Sequence, residues 1–415
     1  MIQDIRMDAY DYPLPEERIA RYPLPQRDDS KLLVYTDATG RRPENRKFRD
    51  LADYIPENST MVFNETKVVP ARLLFRKDTG ALIEVFCLEP VEPADYPMNF
   101  ASRESCLWKA LVGGRKRWKS GALSLYFAPD SPDAAVLSSL AMTASLEESG
   151  PGATCLVRFA WSGGCSFSEA LMHAGRIPIP PYLKRDTESI DLERYQTWYA
   201  KQEGSVAAPT AGLHFTQREL DAIDARGVAR LQLCLHVGAG TFLPVKGETI
   251  ADHTMHSEPF SVTRDFLRQL RARADRPLTA VGTTSTRCLE SLYYLGVHCI
   301  EKGAPGTVEQ WEPYRDEGYD ISFSSALDAL LDHLEREGLD TLSTRTRIII
   351  VPGFRFRAID YLVTNFHQPK STLLLLISAF IGDAWHEVYD FALGNGFRFL
   401  SYGDSSLLQK KLLYL

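Results

Sequence analysis

The chain has 415 residues, 44% of them hydrophobic, enough to bury a full core and to build two or three domains without staples. Its formal charge of −7 argues against a general affinity for nucleic acid, so any RNA contact has to come from local clusters of Lys and Arg. Seven cysteines with no C-x-x-C pair argue against a disulfide framework and a structural zinc knuckle, and the reducing cytoplasm is the expected compartment.

The first twenty residues interleave charges with prolines and hold no apolar stretch, so no secretory signal is expected. Phe48, Leu51, Ala52 and Ile55 recur at helical spacing and predict an early helix, followed by a strand over 60–63. Between about 67 and 160 the texture changes to short runs rich in Val, Leu, Phe and Tyr, punctuated by Gly, Pro, Asp and Ser. That spacing predicts a small all-β domain, a barrel, inserted into the main fold, with 128–153 as a loose loop. Within it Arg115, Lys116, Arg117 and Lys119 surround Trp118, a basic and aromatic patch suited to RNA. Arg264, Arg268 and Arg271 form a second basic face at helical spacing.

After 165, strands and helices alternate, which predicts an α/β main domain with VARLQLCLHV, LTAVG, RIIIVP and DYLVTNF as strands. The expected division is 1–66 and 161–415 for this layered α/β domain and 67–160 for the inserted barrel, with 301–345 as an added loop and helix. Thr216 and Glu219 make a capping box ahead of a helix. The longest apolar run, LLLLISAFI at 373–381, is half the length needed to span a bilayer and reads as a buried helix, so no membrane partner is expected.

Five segments carry residues suited to chemistry. In SVAAPTAGLHFT at 205–216, small residues around Thr210 and Gly212 let the backbone approach a flat ligand beside His214. LHVGAGTF at 235–242 runs from a strand through His236, Gly238, Gly240 and Thr241, but it lacks the third glycine and the helix of a dinucleotide site. VGTTSTRCLESL at 281–292 takes a strand through Gly282 into Thr283, Thr284 and a helix start, a layout that binds a carboxylate or phosphate. Arg287 there opposes the helix dipole and needs solvent or an anion to offset it. DHTMHSEPF at 252–260 brings His253, His256 and Glu258 together; the spacing fits no zinc motif, so substrate hydrogen bonding is preferred and no metal is expected. In DYLVTNFHQPK at 360–370, Asn365 and His367 sit at a strand end, where ligands of open α/β sheets collect.

These segments in this order resemble the S-adenosylmethionine:tRNA ribosyltransferase-isomerases. The resemblance begins at YDYPLPEERIARYPLPQRDDSKLLV (10–34) and continues through FNETKVVPARL (63–73), GRIPIPPYL (175–183) and YQTWYA (195–200) to FLSYGDSSLL (399–408). It implies an α/β domain with an inserted barrel. It also implies transfer of the ribosyl part of S-adenosylmethionine to 7-aminomethyl-7-deazaguanine at the wobble position of tRNA, giving epoxyqueuosine, methionine and adenine. S-adenosylmethionine would be consumed as a substrate, with no cofactor, and a monomer is expected. Lys67 stands where the family often has Arg, keeping the charge without the fork; with Arg72 it joins the barrel cluster as an expected tRNA contact. The sulfonium acidifies the ribose 5′ carbon, so a histidine base is expected, with His214, His236, His256 and His367 as candidates. His214 is preferred for its small-residue loop and the helix start beside it. The alternatives are an S-adenosylmethionine-dependent methyltransferase, which would need a glycine-rich loop not found here, and a non-catalytic RNA-binding module.

Overall fold

Four segments with nearly continuous apolar burial, Ala229–Leu235, Thr60–Asn64, Leu278–Val281 and Tyr361–Asn365, lie side by side and parallel at the centre of a nine-stranded sheet. Such runs suit strands covered on both faces. Antiparallel Glu258–Thr263 and Thr341–Thr346 extend one side. Ser405–Gln409, Lys31–Tyr35 and Glu44–Lys47 complete the other. The computed structural model describes residues 2–150, 153–236, 247–255, 257–315 and 320–411.

Side chains of successive strand residues alternate between two cores. Val62, Leu33 and Leu231 face one layer, built on the helices Arg264–Arg271, Thr283–Lys302, Phe323–Arg336, Thr372–Ile381 and Ala384–Gly394. Met61, Phe63, Leu32 and Val34 face the other, where Phe48, Leu51 and Ile55 of the expected early helix meet Leu220 and Ile223. That early helix is one 3-10 turn and one α turn. The helix Gln217–Ala225 starts at the expected capping box, with Thr216 N donating to Glu219 Oε2 at 2.9 Å.

The insert is a closed six-stranded barrel in the order Thr154–Ala160, Ser105–Val112, Leu82–Glu92, Arg72–Arg76, Leu123–Leu125, Thr143–Ser149. Strands Thr66–Val68 and Gln202–Ser205 pair in parallel where the barrel joins the main domain. The stretch expected as a loose loop holds the helix Ala134–Leu140 and a barrel strand. Trp118, the aromatic member of the patch expected to suit RNA, is instead wholly buried in the barrel core, its Nε1 donating to the Gly121 carbonyl at 2.9 Å.

The 301–345 region is part of the main domain's core. Leu327, Leu330 and Leu334 pack into it, and its last residues form the edge strand Thr341–Thr346. RIIIVP is not a strand. Its buried carbonyls are taken by side chains, with Arg287 Nε on Ile348 O at 3.2 Å and Tyr314 Oη on Ile349 O at 3.0 Å, so the segment satisfies its backbone without a ladder.

Candidate active site

The four parallel strands end together. Their carboxyl ends deliver Asn64, His236, the Gly282–Thr284 turn, and Asn365 with His367 to one edge of the sheet. A cleft of about 840 Å³, counting its open mouth, lies there. One wall is the small-residue loop Ala207–Ala211, with Thr210; the floor is Gly282, Thr283 and Thr284; the far wall is Thr364, Asn365 and His367.

Gly282 turns the chain at φ 91°, a value that disfavours any side chain, and starts a helix of 20 residues. Among the described residues no side chain caps that helix. Ser285 and Thr286 bond back to the carbonyls of Val281 and Gly282 at 2.8 and 3.2 Å, so Thr283 and Thr284 and the open amides of the first turn are what the cleft meets. Uncapped N–H groups at the positive end of a long helix suit an anion.

His214 is 4% exposed and lies behind the far wall. Its Nδ1 is 2.9 Å from Ser30 Oγ, and its Nε2 is 3.3 Å from Asn365 Nδ2. Burial pushes it down to about 4, opposed by the charge of Asp404. His367 lines the cleft with its Nε2 3.0 Å from Thr364 Oγ1, and burial lowers it to about 3. Both rings are therefore neutral near pH 7 and can accept a proton. Asn365 Nδ2 also donates to Leu400 O at 2.9 Å, while its Oδ1 is buried with no partner among the described residues.

The other sequence candidates are placed elsewhere. His236 is stacked on Tyr96 of the barrel, ring centres 4.1 Å apart, and burial lowers it to about 4. Gly212 packs against Tyr199 and Thr197. Arg287 lies one turn below the floor in a buried ion pair with Glu258, so the anion offsetting this arginine comes from the chain itself. Lys67 pairs with Glu203 at 3.4 Å, and Arg72 pairs with Glu84 at 3.5 Å while lying over the Phe86 ring. Arg115, Lys116, Arg117 and Lys119 sit on or beside the 3-10 turn Arg115–Arg117 of the barrel, with Lys116, Arg117 and Lys119 exposed. Of the second basic face, Arg264 is bound to Leu339 O and Arg271 to Asp328. Gly238, Gly240, Thr241 and His256 lie outside the described residues. Among the described residues no cluster of three His, Cys, Asp or Glu side chains is placed to hold a metal ion, and no helix is long and apolar enough to cross a membrane. Ser30, Thr364 and Ser401 give no signal in the sequence, because a hydroxyl carries none until the fold brings it to a histidine or a cleft.

A cleft at the carboxyl edge of a parallel sheet, with an open helix end as its floor, neutral His367 at its wall and neutral His214 behind that wall, is the kind of site at which α/β enzymes hold a small ligand. A family model described as queuosine biosynthesis protein matches residues 7–408, and the chain belongs to that family. The S-adenosylmethionine:tRNA ribosyltransferase-isomerases of Brucella ovis and Brucella abortus are each 39% identical to it over 412 residues, 98% of this chain and 98% of theirs. A solved S-adenosylmethionine tRNA ribosyltransferase from Thermotoga maritima is 26% identical, covering 96% of this chain and 99% of its own, with a TM-score of 0.44.

Proposed function

We infer that the chain is an S-adenosylmethionine:tRNA ribosyltransferase-isomerase of queuosine biosynthesis. The observation that carries this reading is the 39% identity running over 98% of both chains, so that the likeness covers both the cleft and the barrel. The finer reading is that the cleft takes S-adenosylmethionine and the modified wobble base of a tRNA, 7-aminomethyl-7-deazaguanine. S-adenosylmethionine is then consumed as a substrate, no cofactor takes part, and the chain acts as a cytoplasmic monomer.

In this reading the donor's methionine carboxylate sits at the open helix end by Thr283 and Thr284, and its ribose lies against the Ala207–Ala211 loop. Asn365 Oδ1 accepts from a substrate N–H or O–H. A neutral histidine of the far wall removes a 5′ proton made acidic by the sulfonium. The ribosyl carbon then bonds to the base, and methionine and adenine leave as the ring rearranges. Fixed amides and hydroxyls, rather than water, would stabilise the charge that develops.

The test is to incubate the protein with labelled S-adenosylmethionine and a tRNA carrying the modified base. Release of adenine and methionine in step with tRNA labelling is expected. Formation of S-adenosylhomocysteine would mean methyl transfer, and binding without either product would reduce the chain to an RNA-binding module.

A further inference from the structure

Residues from or beside three of the sequence segments meet behind the far wall of the cleft. Arg27 comes from the 10–34 stretch, Arg194 directly precedes YQTWYA, and Gly403 belongs to FLSYGDSSLL. Together with Arg398 they line a shallow recess, about 270 Å³ counting its open mouth, whose lining includes Ser30 and His214. The lining holds three arginines and no carboxylate.

The hydrogen bonds of these arginines are unusual. Arg398 is neutralised by Asp404, Nη2 to Oδ1 2.9 Å, and that carboxylate also accepts from the amides of Lys31 and Arg398. Arg27 and Arg194 have no carboxylate partner among the described residues. Arg27 donates to Leu213 O and Glu193 O, both at 2.9 Å; Arg194 donates to Pro25 O at 3.2 Å and Leu24 O at 2.6 Å, and its Nε is buried with no partner among those residues. A guanidinium carries five N–H donors, so each keeps donors in reserve. Burial and the like charge of Arg194 lower Arg27 to about 10, and the exposed Glu193 offsets this only in part. Two half-buried guanidiniums side by side without a counter-charge are unfavourable unless an anion joins them.

We propose that this recess is a second anion site, which takes a backbone phosphate of the tRNA next to the nucleotide held in the cleft. The proposal rests on the functional reading above. The recess and the cleft share Ser401 in their linings and are separated by a single layer, His214 against Asn365. A nucleotide whose base occupies the cleft has its phosphates within reach of that layer, and the planar fork of Arg matches phosphate oxygens. The donor's own carboxylate already has the open helix end inside the cleft.

The experiment uses the full chain and substrate tRNA. Wild-type protein is treated with phenylglyoxal and its arginines are read by mass spectrometry. Bound tRNA should shield Arg27 and Arg194, whereas S-adenosylmethionine alone should not. In parallel, Arg27→Gln and Arg194→Gln should each weaken tRNA binding about tenfold and flatten its salt dependence by about 0.7 unit of slope. Affinity for S-adenosylmethionine should stay unchanged. Shielding by S-adenosylmethionine alone would assign the recess to the donor carboxylate and overturn the proposal. So would an absence of shielding by tRNA, which would make these arginines clamps for the 24–27 segment. Adenine release by the same wild-type preparation separates the two levels: if it occurs without shielding, only the anion site is wrong, and if it fails, the functional reading fails first.

Discussion

His214 is held by one good hydrogen bond and one poor one. Ser30 Oγ donates to Arg27 O at 3.1 Å, so it accepts from the Nδ1–H of His214, and Nε2 is left as the basic nitrogen. That lone pair faces an Asn365 amide at 3.3 Å which has a better acceptor at 2.9 Å in Leu400 O. Asn365 lines the cleft in front of that nitrogen, so His214 can serve as the base only when Asn365 turns aside from the carbonyls of Leu400 and Ser401. His214→Gln keeps a hydrogen-bonding group and removes the basicity, so it should bind both substrates normally and lose at least about a hundredfold in kcat. The linked stability has a definite sign. Folding lowers this histidine from its ordinary 6.5 to about 4, so below pH 6.5 the unfolded chain takes up a proton that the folded chain refuses, and stability falls until about pH 4. In urea titrations His214→Gln should therefore lose less stability on acidification than wild type, by about 1.4 kcal/mol per pH unit within that window. If the variant keeps its turnover while His367→Gln loses it, proton transfer belongs to His367, which lines the cleft directly.

At the scale of elements, the helix Thr283–Lys302 ties the cleft floor to the 301–345 region. Gly296 sits in the middle of this helix, where alanine would ordinarily favour it by about 1 kcal/mol. Here a Cβ would be driven into the backbone of Ala326 on the neighbouring helix, which is not a flexible side-chain tip and cannot swing aside. Overpacking costs about 1–3 kcal/mol and should exceed the propensity gain. Gly296→Ala is thus expected to lower the urea midpoint; a rise would mean that the helices do not make this contact. Local rules make much of this fold readable. The capping box at Thr216 places its helix, and the Gly282 turn with its hydroxyl run places the cleft floor, because each depends on residues a few positions apart. What is not readable depends on distant partners. RIIIVP has the composition of a strand, yet Arg287 and Tyr314 take its carbonyls. Arg287 reads as an anion binder until Glu258, 29 positions earlier, is folded against it. Trp118 among basic residues reads as an RNA platform until the barrel closes around it.

At the scale of the whole molecule, an acidic chain that grips RNA must do so where its few uncompensated cations gather. Many of its arginines are committed to carboxylates or carbonyls within the protein, as Arg72, Arg158, Arg264 and Arg271 are. The barrel turn differs. Arg115 is engaged with the Trp118 carbonyl and Ser149 and serves the barrel, but Lys116 and Lys119 are exposed. The turn follows the strand Ser105–Val112, and the Tyr96 ring that stacks on His236 packs against Trp108 in the middle of that strand. We propose that this turn is a further contact with tRNA phosphates, acting through charge. Reversing both charges, Lys116→Glu with Lys119→Glu, leaves the barrel core untouched and should weaken tRNA binding. It should also flatten the plot of log affinity against log salt by nearly one unit of slope for each phosphate that is no longer neutralised. Affinity for S-adenosylmethionine should not move, because no residue of the turn lines the cleft. An unchanged salt slope in the double variant would take the barrel turn out of the RNA interface and leave the cleft side to bind the tRNA alone.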